Sequence, residues 1–126
     1  MSGTILVVDD EVHIRALLEQ TLEELEDDGV EILVAGDGAA GLDLVREHHP
    51  DVVFLDVMMP KMNGYDVCSA IKADPDTAGT FVVMLTARGQ ETDRERGTEV
   101  GADVFTTKPF DPDEILSLAR SALGLA

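Results

Sequence analysis

Four short stretches of this chain carry side chains that could do chemistry together. Asp9, Asp10 and Glu11 follow the apolar run Thr4–Val8, and Asp56 closes the run Val52–Leu55. Thr86 closes Phe81–Leu85, and Lys108 follows Val104–Thr107. Carboxylates with no Cys or His beside them select a hard cation, and a small, partly hydrated octahedral site suits Mg²⁺, with Mn²⁺ as a substitute. If Asp9, Asp10 and Asp56 converge at about 5 Å, each pair repels by roughly 3 kcal/mol at an effective dielectric near 20. One divalent ion about 4 Å from each returns roughly 8 kcal/mol per carboxylate, so the cation wins. Lys108 adds a positive charge that a metal alone does not require. Metal, lysine and hydroxyl together are what a phosphoryl group needs around its three oxygens. The carboxylate best placed as a nucleophile is the one ending the central strand, Asp56.

These residues work together only if the fold gathers them. The apolar runs Thr4–Val8, Glu31–Ala35, Val52–Leu55, Phe81–Leu85 and Val104–Thr107 are short and rich in Val, Ile, Leu and Phe. Apolar at consecutive positions, they read as strands buried on both faces, as in a parallel sheet. Each gap has the length of one helix and two short loops. The first helix is marked by Ile14, Leu17, Leu18, Leu22 and Leu25, with Gly29 beyond its end; the second stops before Pro50. The third spans Tyr65–Ala73. The fourth, around Glu91–Val100, is rich in charge and contains Gly97, which suits a mobile or partner-facing segment. Pro112 opens the last helix at a first-turn position. Strand–helix alternation repeated five times predicts an α/β three-layer sandwich. In such sheets function collects at the carboxyl ends of the strands, where all of these polar residues lie.

The motifs Val7-Val8-Asp9-Asp10-Glu11, Leu55-Asp56-Val57-Met58-Met59-Pro60, Asn63-Gly64, Leu85-Thr86-Ala87 and Thr107-Lys108-Pro109-Phe110 closely resemble the receiver domains of two-component response regulators. The resemblance runs in register from about Ile5 to Leu123. It implies a flavodoxin-like (βα)5 fold with strand order 2-1-3-4-5, and a phosphoryl group passed to Asp56 from a sensor histidine kinase or phosphotransfer protein. It also implies that Asp10 binds Mg²⁺ directly, Asp9 largely through water, and Met58 through its backbone carbonyl. Lys108, the Thr86 hydroxyl and the Ala87 N–H would contact the phosphoryl oxygens. A cis Lys108–Pro109 bond would aim the lysine. Phe105, three residues before it, takes the aromatic switch position, rotating as Thr86 is drawn to the phosphoryl group and changing the surface of the fourth helix, fifth strand and last helix. Where many relatives carry tyrosine, Phe105 has no hydroxyl, so its signal rests on ring packing. Met58 and Arg88 flank the mouth of the site and are expected to restrict the attacking water. The last helix carries only Arg120 as a base, which leaves the charge pairs of a receiver dimer incomplete. A monomer, or a weak phosphorylation-dependent dimer, is expected.

Taken singly, each residue has a plainer reading. Asp9-Asp10 could cap a helix, Asp56 could end a turn, and Thr86 and Lys108 could be solvated. Cys68 reads as a small hydrophobe in the third helix. One rival is formally good: Gly36-Asp37-Gly38-Ala39-Ala40-Gly41 matches the dinucleotide-binding G-x-G-x-x-G after a strand and before a helix. It leaves Asp9, Asp10, Thr86 and Lys108 without purpose. A metal-dependent phosphohydrolase with an aspartyl nucleophile is the enzyme alternative, although the second acid it needs, two residues beyond Asp56, is here Met58.

Composition narrows the field. Twenty-six acids against nine bases give a formal charge of −17. Such a field repels nucleic acid and anionic membranes. With 44% hydrophobic and 28% charged residues, the balance is that of a globular chain, and disorder is not expected. The longest aliphatic runs are only strand-sized, too short to span a bilayer. The single cysteine and the absence of room for a signal peptide before Ile5 suit a reducing cytoplasm. No linker or low-complexity stretch interrupts residues 1–126, so one complete receiver domain is expected, signalling by direct protein contact or through a fused output domain. On this reading the chain is a phosphoacceptor switch with no separate substrate.

Overall fold

The computed structural model describes residues 3–59, 62–86, 98–108 and 110–125. In chain order the elements are β1 (Gly3–Val8), α1 (Val12–Leu22), a 3₁₀ segment (Glu23–Asp28), β2 (Val30–Ala35), α2 (Gly38–His48) and β3 (Val52–Asp56). They continue with α3 (Gly64–Ala73), β4 (Phe81–Thr86), β5 (Val104–Thr107) and a C-terminal α4 (Pro112–Leu123). All strand pairs are parallel, in the order β2-β1-β3-β4-β5. Each predicted strand is present with its ends within one residue. The helix expected around residues 91–100 lies outside the described residues except at its end.

Side chains alternate across the sheet and feed two cores. Leu6, Val8, Val53, Leu55, Val82 and Met84 pack with Leu42 and Val45 of α2 and with Val67, Cys68 and Ile71 of α3. Ile5, Val7, Val52, Phe54, Val83 and Leu85 pack with Leu18 and Leu22 of α1 and with Ile115, Ala119 and Leu123 of α4. The result is a three-layer sandwich in which β1, β3 and β4 are covered on both sides, the reason their sequences are apolar at consecutive positions.

Helix starts follow local chemistry. Asp37, Asn63 and Asp111 cap α2, α3 and α4, accepting from the N–H groups of Ala40, Asp66 and Asp113 at 2.8, 3.0 and 2.9 Å. The first helix ends earlier than its apolar spacing suggests. Five acids in Glu23–Asp28 follow Leu22, at the negative end of the helix dipole and with no base in the last turn. The chain tightens there into a 3₁₀ turn, which Gly29 closes at φ 84°. Arg120 of α4 offsets part of that charge, its nitrogens lying 3.2 Å from Glu24 and 3.7 Å from Asp28.

Candidate functional site

Because the strands are parallel, their carboxyl ends share one edge of the sheet. Asp9 follows β1, Asp56 is the last residue of β3, Thr86 the last of β4, and Lys108 follows β5. Ligand oxygens of Asp9, Asp10 and Asp56 all lie within 4.8 Å of one another, so the convergence assumed from the strand ends is real. Asp9 and Asp56 are buried; Asp10 is exposed. The third acid of that run, Glu11, faces away and sits 3.3 Å from the His13 imidazole.

Lys108 joins the group from β5, two strands away from β3. Its Nζ lies 3.0 Å from Asp9 Oδ2 and 3.2 Å from Asp56 Oδ1. Burial alone would lower the lysine pKa, but its bond to Asp9 and the charges of Asp56 and Asp9 outweigh that and raise it. The ammonium is therefore permanently charged. Burial, followed by the charge of Asp9, pushes the Asp56 carboxyl from 3.8 up to about 6, against the opposing pull of Lys108 and a Met58 N–H bond. One cation is too little for the carboxylates around it.

Loop geometry completes the cradle. The Met58 N–H donates to Asp56 Oδ1 at 3.3 Å, the Val57 N–H to the Leu85 carbonyl at 3.2 Å and the Gly64 N–H to the Val57 carbonyl at 3.0 Å. A Cβ at Gly64 would lie 2.3 Å from the Asp56 carbonyl oxygen, so α3 can start this close to the site only with glycine there. The Thr86 hydroxyl points toward β5, 3.5 Å from the Thr106 carbonyl, a weak contact that is easily exchanged. Phe105 is partly buried against the α2–α3 core, and the Met58 side chain is exposed at the rim. The expectations placed on Ala87, Arg88 and Pro109 fall outside the described residues. The donor set fits a hard divalent ion: oxygen only, three carboxylates, one of them open to solvent.

The comparisons with known proteins meet this geometry. The family model described as the response regulator receiver domain matches residues 5–120. The chain belongs to the response regulator receiver domain family. This receiver domain is 44% identical over 119 residues to the regulator named ycf27 of Cyanophora paradoxa, covering 94% of this chain and 47% of that protein. It is 43% identical over 123 residues to the DNA-binding response regulator MtrA of Mycobacterium leprae, covering 98% of this chain and 52% of that protein. The chain thus spans about half the length of the curated relatives it matches. Among solved structures it resembles the Vibrio cholerae chemotaxis protein CheY4, with a TM-score of 0.85 and 30% identity over 97% of this chain and 99% of that one. The strand order expected from resemblance is the family's, and the receiver domain has it.

The glycine fingerprint of the receiver domain has a packing explanation. A Cβ at Gly38 would lie 2.3 Å from the Met62 carbonyl oxygen, and one at Gly41 would lie 2.8 Å from Val8. The Asp37 carboxylate occupies the α2 N-terminus, where the dinucleotide reading would put a pyrophosphate. Arg120, the one base of α4, pairs within the chain with Glu24 and Asp28. Two cations escaped notice in the sequence. Lys72 ties α3 to the Thr80 carbonyl at 2.6 Å and to Asp103 at 3.0 Å, and Arg15 donates to the Asp9 carbonyl at 2.7 Å. A base five residues beyond Asp10, within the helix that leaves the acidic loop, was the available signal for Arg15. No helix among the described residues is long and apolar enough to cross a membrane.

Proposed function

We propose that this receiver domain, extending over residues 1–126, accepts a phosphoryl group on Asp56 in a Mg²⁺-dependent reaction. The observation that carries the reading is the Lys108 ammonium lying between Asp9 and Asp56 beside the exposed Asp10. Asp9, Asp10, Asp56 and the Met58 carbonyl would hold Mg²⁺, which when bound supplies the positive charge that the incoming phosphoryl oxygens need. With a pKa of about 6, Asp56 is mostly ionised at neutral pH and available as a nucleophile. Its Oδ forms a bond to phosphorus as the bond from phosphorus to the donor breaks, and the electron pair of that bond leaves with the donor. That donor is a phosphohistidine on a sensor kinase or phosphotransfer protein, or a small acyl phosphate. Lys108 exchanges a carboxylate contact for a phosphoryl oxygen, and the Ala87 N–H supplies a second donor. The Thr86 hydroxyl gives up its weak contact with Thr106 to become a third. Phe105 then rotates into the space that Thr86 vacates, and the surface around β5 and α4 changes.

Two relatives twice as long are named as a transcriptional regulator and a DNA-binding response regulator. We infer a corresponding role here: the switched surface controls an output domain or protein target that contacts DNA, while the receiver itself, at −17, does not. Intact mass after incubation with acetyl phosphate and Mg²⁺ tests the chemistry. One phosphoryl adduct is expected, absent in Asp56→Asn and absent under chelator. An adduct that persists in Asp56→Asn would overturn the assignment, and continuous phosphate release from unrelated phosphomonoesters would favour the phosphohydrolase alternative.

A further inference from the structure

Asp9 is held at every polar atom it has. Its N–H donates to the Ala35 carbonyl at 3.2 Å, Oδ1 accepts from the Glu11 N–H at 2.9 Å, and Oδ2 accepts from Lys108 at 3.0 Å. The remaining atom, its carbonyl oxygen, accepts from Arg15 Nη1 at 2.7 Å, the shortest of the four. Asp10 is held differently: it is exposed, and no hydrogen bond to its carboxylate occurs among the described residues. Its direction therefore depends on the peptide plane it shares with Asp9, and fixing the Asp9 carbonyl fixes that plane.

The guanidinium that does this has a seat. A Cβ built on Gly36, just past β2, would lie 3.2 Å from Arg15 Nη1, 3.6 Å from Cζ and 3.9 Å from Nη2. Gly36 is not among the glycines with positive φ, so the backbone does not demand glycine there. A Cβ at this position would instead crowd the guanidinium, which would have to give by a few tenths of an ångström. Among the described residues no carboxylate lies within ion-pair distance of Arg15, although acids outnumber bases 26 to nine. This arginine is committed to a carbonyl.

We propose that Arg15, seated on Gly36, is a positioning residue that sets the Asp9–Asp10 peptide plane and thereby aims Asp10 at the cation site. The proposal rests on the reading that Asp9, Asp10 and Asp56 hold Mg²⁺. It assigns the first glycine of the Gly36-x-Gly38-x-x-Gly41 motif to a brace on the acidic loop rather than to a nucleotide. Charge and positioning predict opposite signs. Removing a cation near a divalent site strengthens Mg²⁺ binding if charge alone matters, whereas losing the brace weakens it.

The test is calorimetric titration with Mg²⁺, without a phosphodonor, at a temperature where urea melts show every variant folded. The variants are Arg15→Ala, Arg15→Lys, Gly36→Ala and Arg15→Ala/Gly36→Ala, beside wild type and Asp10→Asn. Loss of a group that orients a metal ligand costs about 10–100-fold in affinity, and that range is expected for Arg15→Ala. Arg15→Lys recovers part of it. Gly36→Ala presses on the guanidinium, weakens binding less, and adds nothing once Arg15 is gone. Arg15→Ala binding within about twofold of wild type, or more tightly, overturns the proposal, as does a Gly36→Ala loss that adds in full to that of Arg15→Ala. A merely structural arginine would lower the urea midpoint and leave the Kd of the folded protein alone. If wild type and Asp10→Asn both fail to bind Mg²⁺, the reading of the site falls and this inference falls with it.

Discussion

Replacing Asp56 by Asn should make the metal-free protein more stable. A carboxyl moved from 3.8 to about 6 is harder to ionise in the fold than in the unfolded chain by about 3 kcal/mol, because it is buried beside Asp9 and only partly relieved by Lys108. The amide keeps the shape and an oxygen for the Met58 N–H, and Lys108 keeps its 3.0 Å bond to Asp9. Below pH 3.8 the carboxyl is protonated in both folded and unfolded states, and the substitution changes little. As pH rises toward 6 the unfolded chain releases its proton first, so the wild-type fold loses stability through that interval; above 6 the full cost persists. The gain from Asp56→Asn should therefore approach about 3 kcal/mol at pH 8 and about half of that at pH 5, less whatever the new amide N–H₂ leaves unpaired. At about 4 °C per kcal/mol for a domain of this size, the melting temperature rises by roughly 8–12 °C at pH 8. The assay is thermal melting followed by circular dichroism, with chelator present. Working at pH 5 and above keeps the protein clear of its isoelectric point near 4.2. Saturating Mg²⁺ should stabilise wild type more than the variant and narrow the gap. An Asp56→Asn protein no more stable than wild type at pH 8, or a gap unchanged at pH 5, would refute the electrostatic account.

Lys108→Ala leaves two buried carboxylates without their cation, so a loss of about 3 kcal/mol in urea denaturation is expected at neutral pH, with the Asp56 carboxyl titrating above 6 by NMR. Unchanged stability would show that the lysine is solvated rather than clamped. Cys68 is buried, its thiol pushed up to about 11 by that burial, so native protein at pH 8 should react with a thiol reagent only through unfolding. Its contribution to stability should fall as pH rises from 9 toward 11, where only the unfolded thiol ionises; labelling at the rate of a free thiol in native buffer would contradict both. The sequence-based expectation that Met58 and Arg88 restrict the attacking water predicts that Met58→Ala combined with Arg88→Ala speeds loss of the phosphoryl group severalfold. Equal dephosphorylation rates would remove those two residues from its control.

Much of this architecture is readable along the chain. Runs such as Leu6-Val7-Val8 and Val82-Val83-Met84-Leu85 are apolar at consecutive positions because helices cover both faces of the sheet, and that pattern is local. Asp37, Asn63 and Asp111, not singled out in the sequence, start helices for an equally local reason, a side-chain oxygen meeting an N–H two or three residues on. The end of α1 was less legible. Leu25 continues the apolar spacing and is buried, but the acids around it oppose the helix dipole, and their balance against packing is settled only in three dimensions. The order of the strands was available from family resemblance, not from periodicity.

The sequence by itself determined the chemical types at the strand ends: three acids after β1, one at the end of β3, a hydroxyl at the end of β4 and a base after β5. A parallel sheet then requires them to share an edge. Only the tertiary structure decided what each one touches. That Lys108 reaches Asp9 across 99 residues as well as Asp56, that Asp9 is sealed while Asp10 stays open, and that Arg15 grips a carbonyl over Gly36 all depend on strand adjacency and helix packing. The raised pKa of Asp56 has the same origin, because burial and the distance to Asp9 exist only in the fold. Local propensity acts between neighbours in sequence, whereas Coulomb forces and desolvation act between neighbours in space.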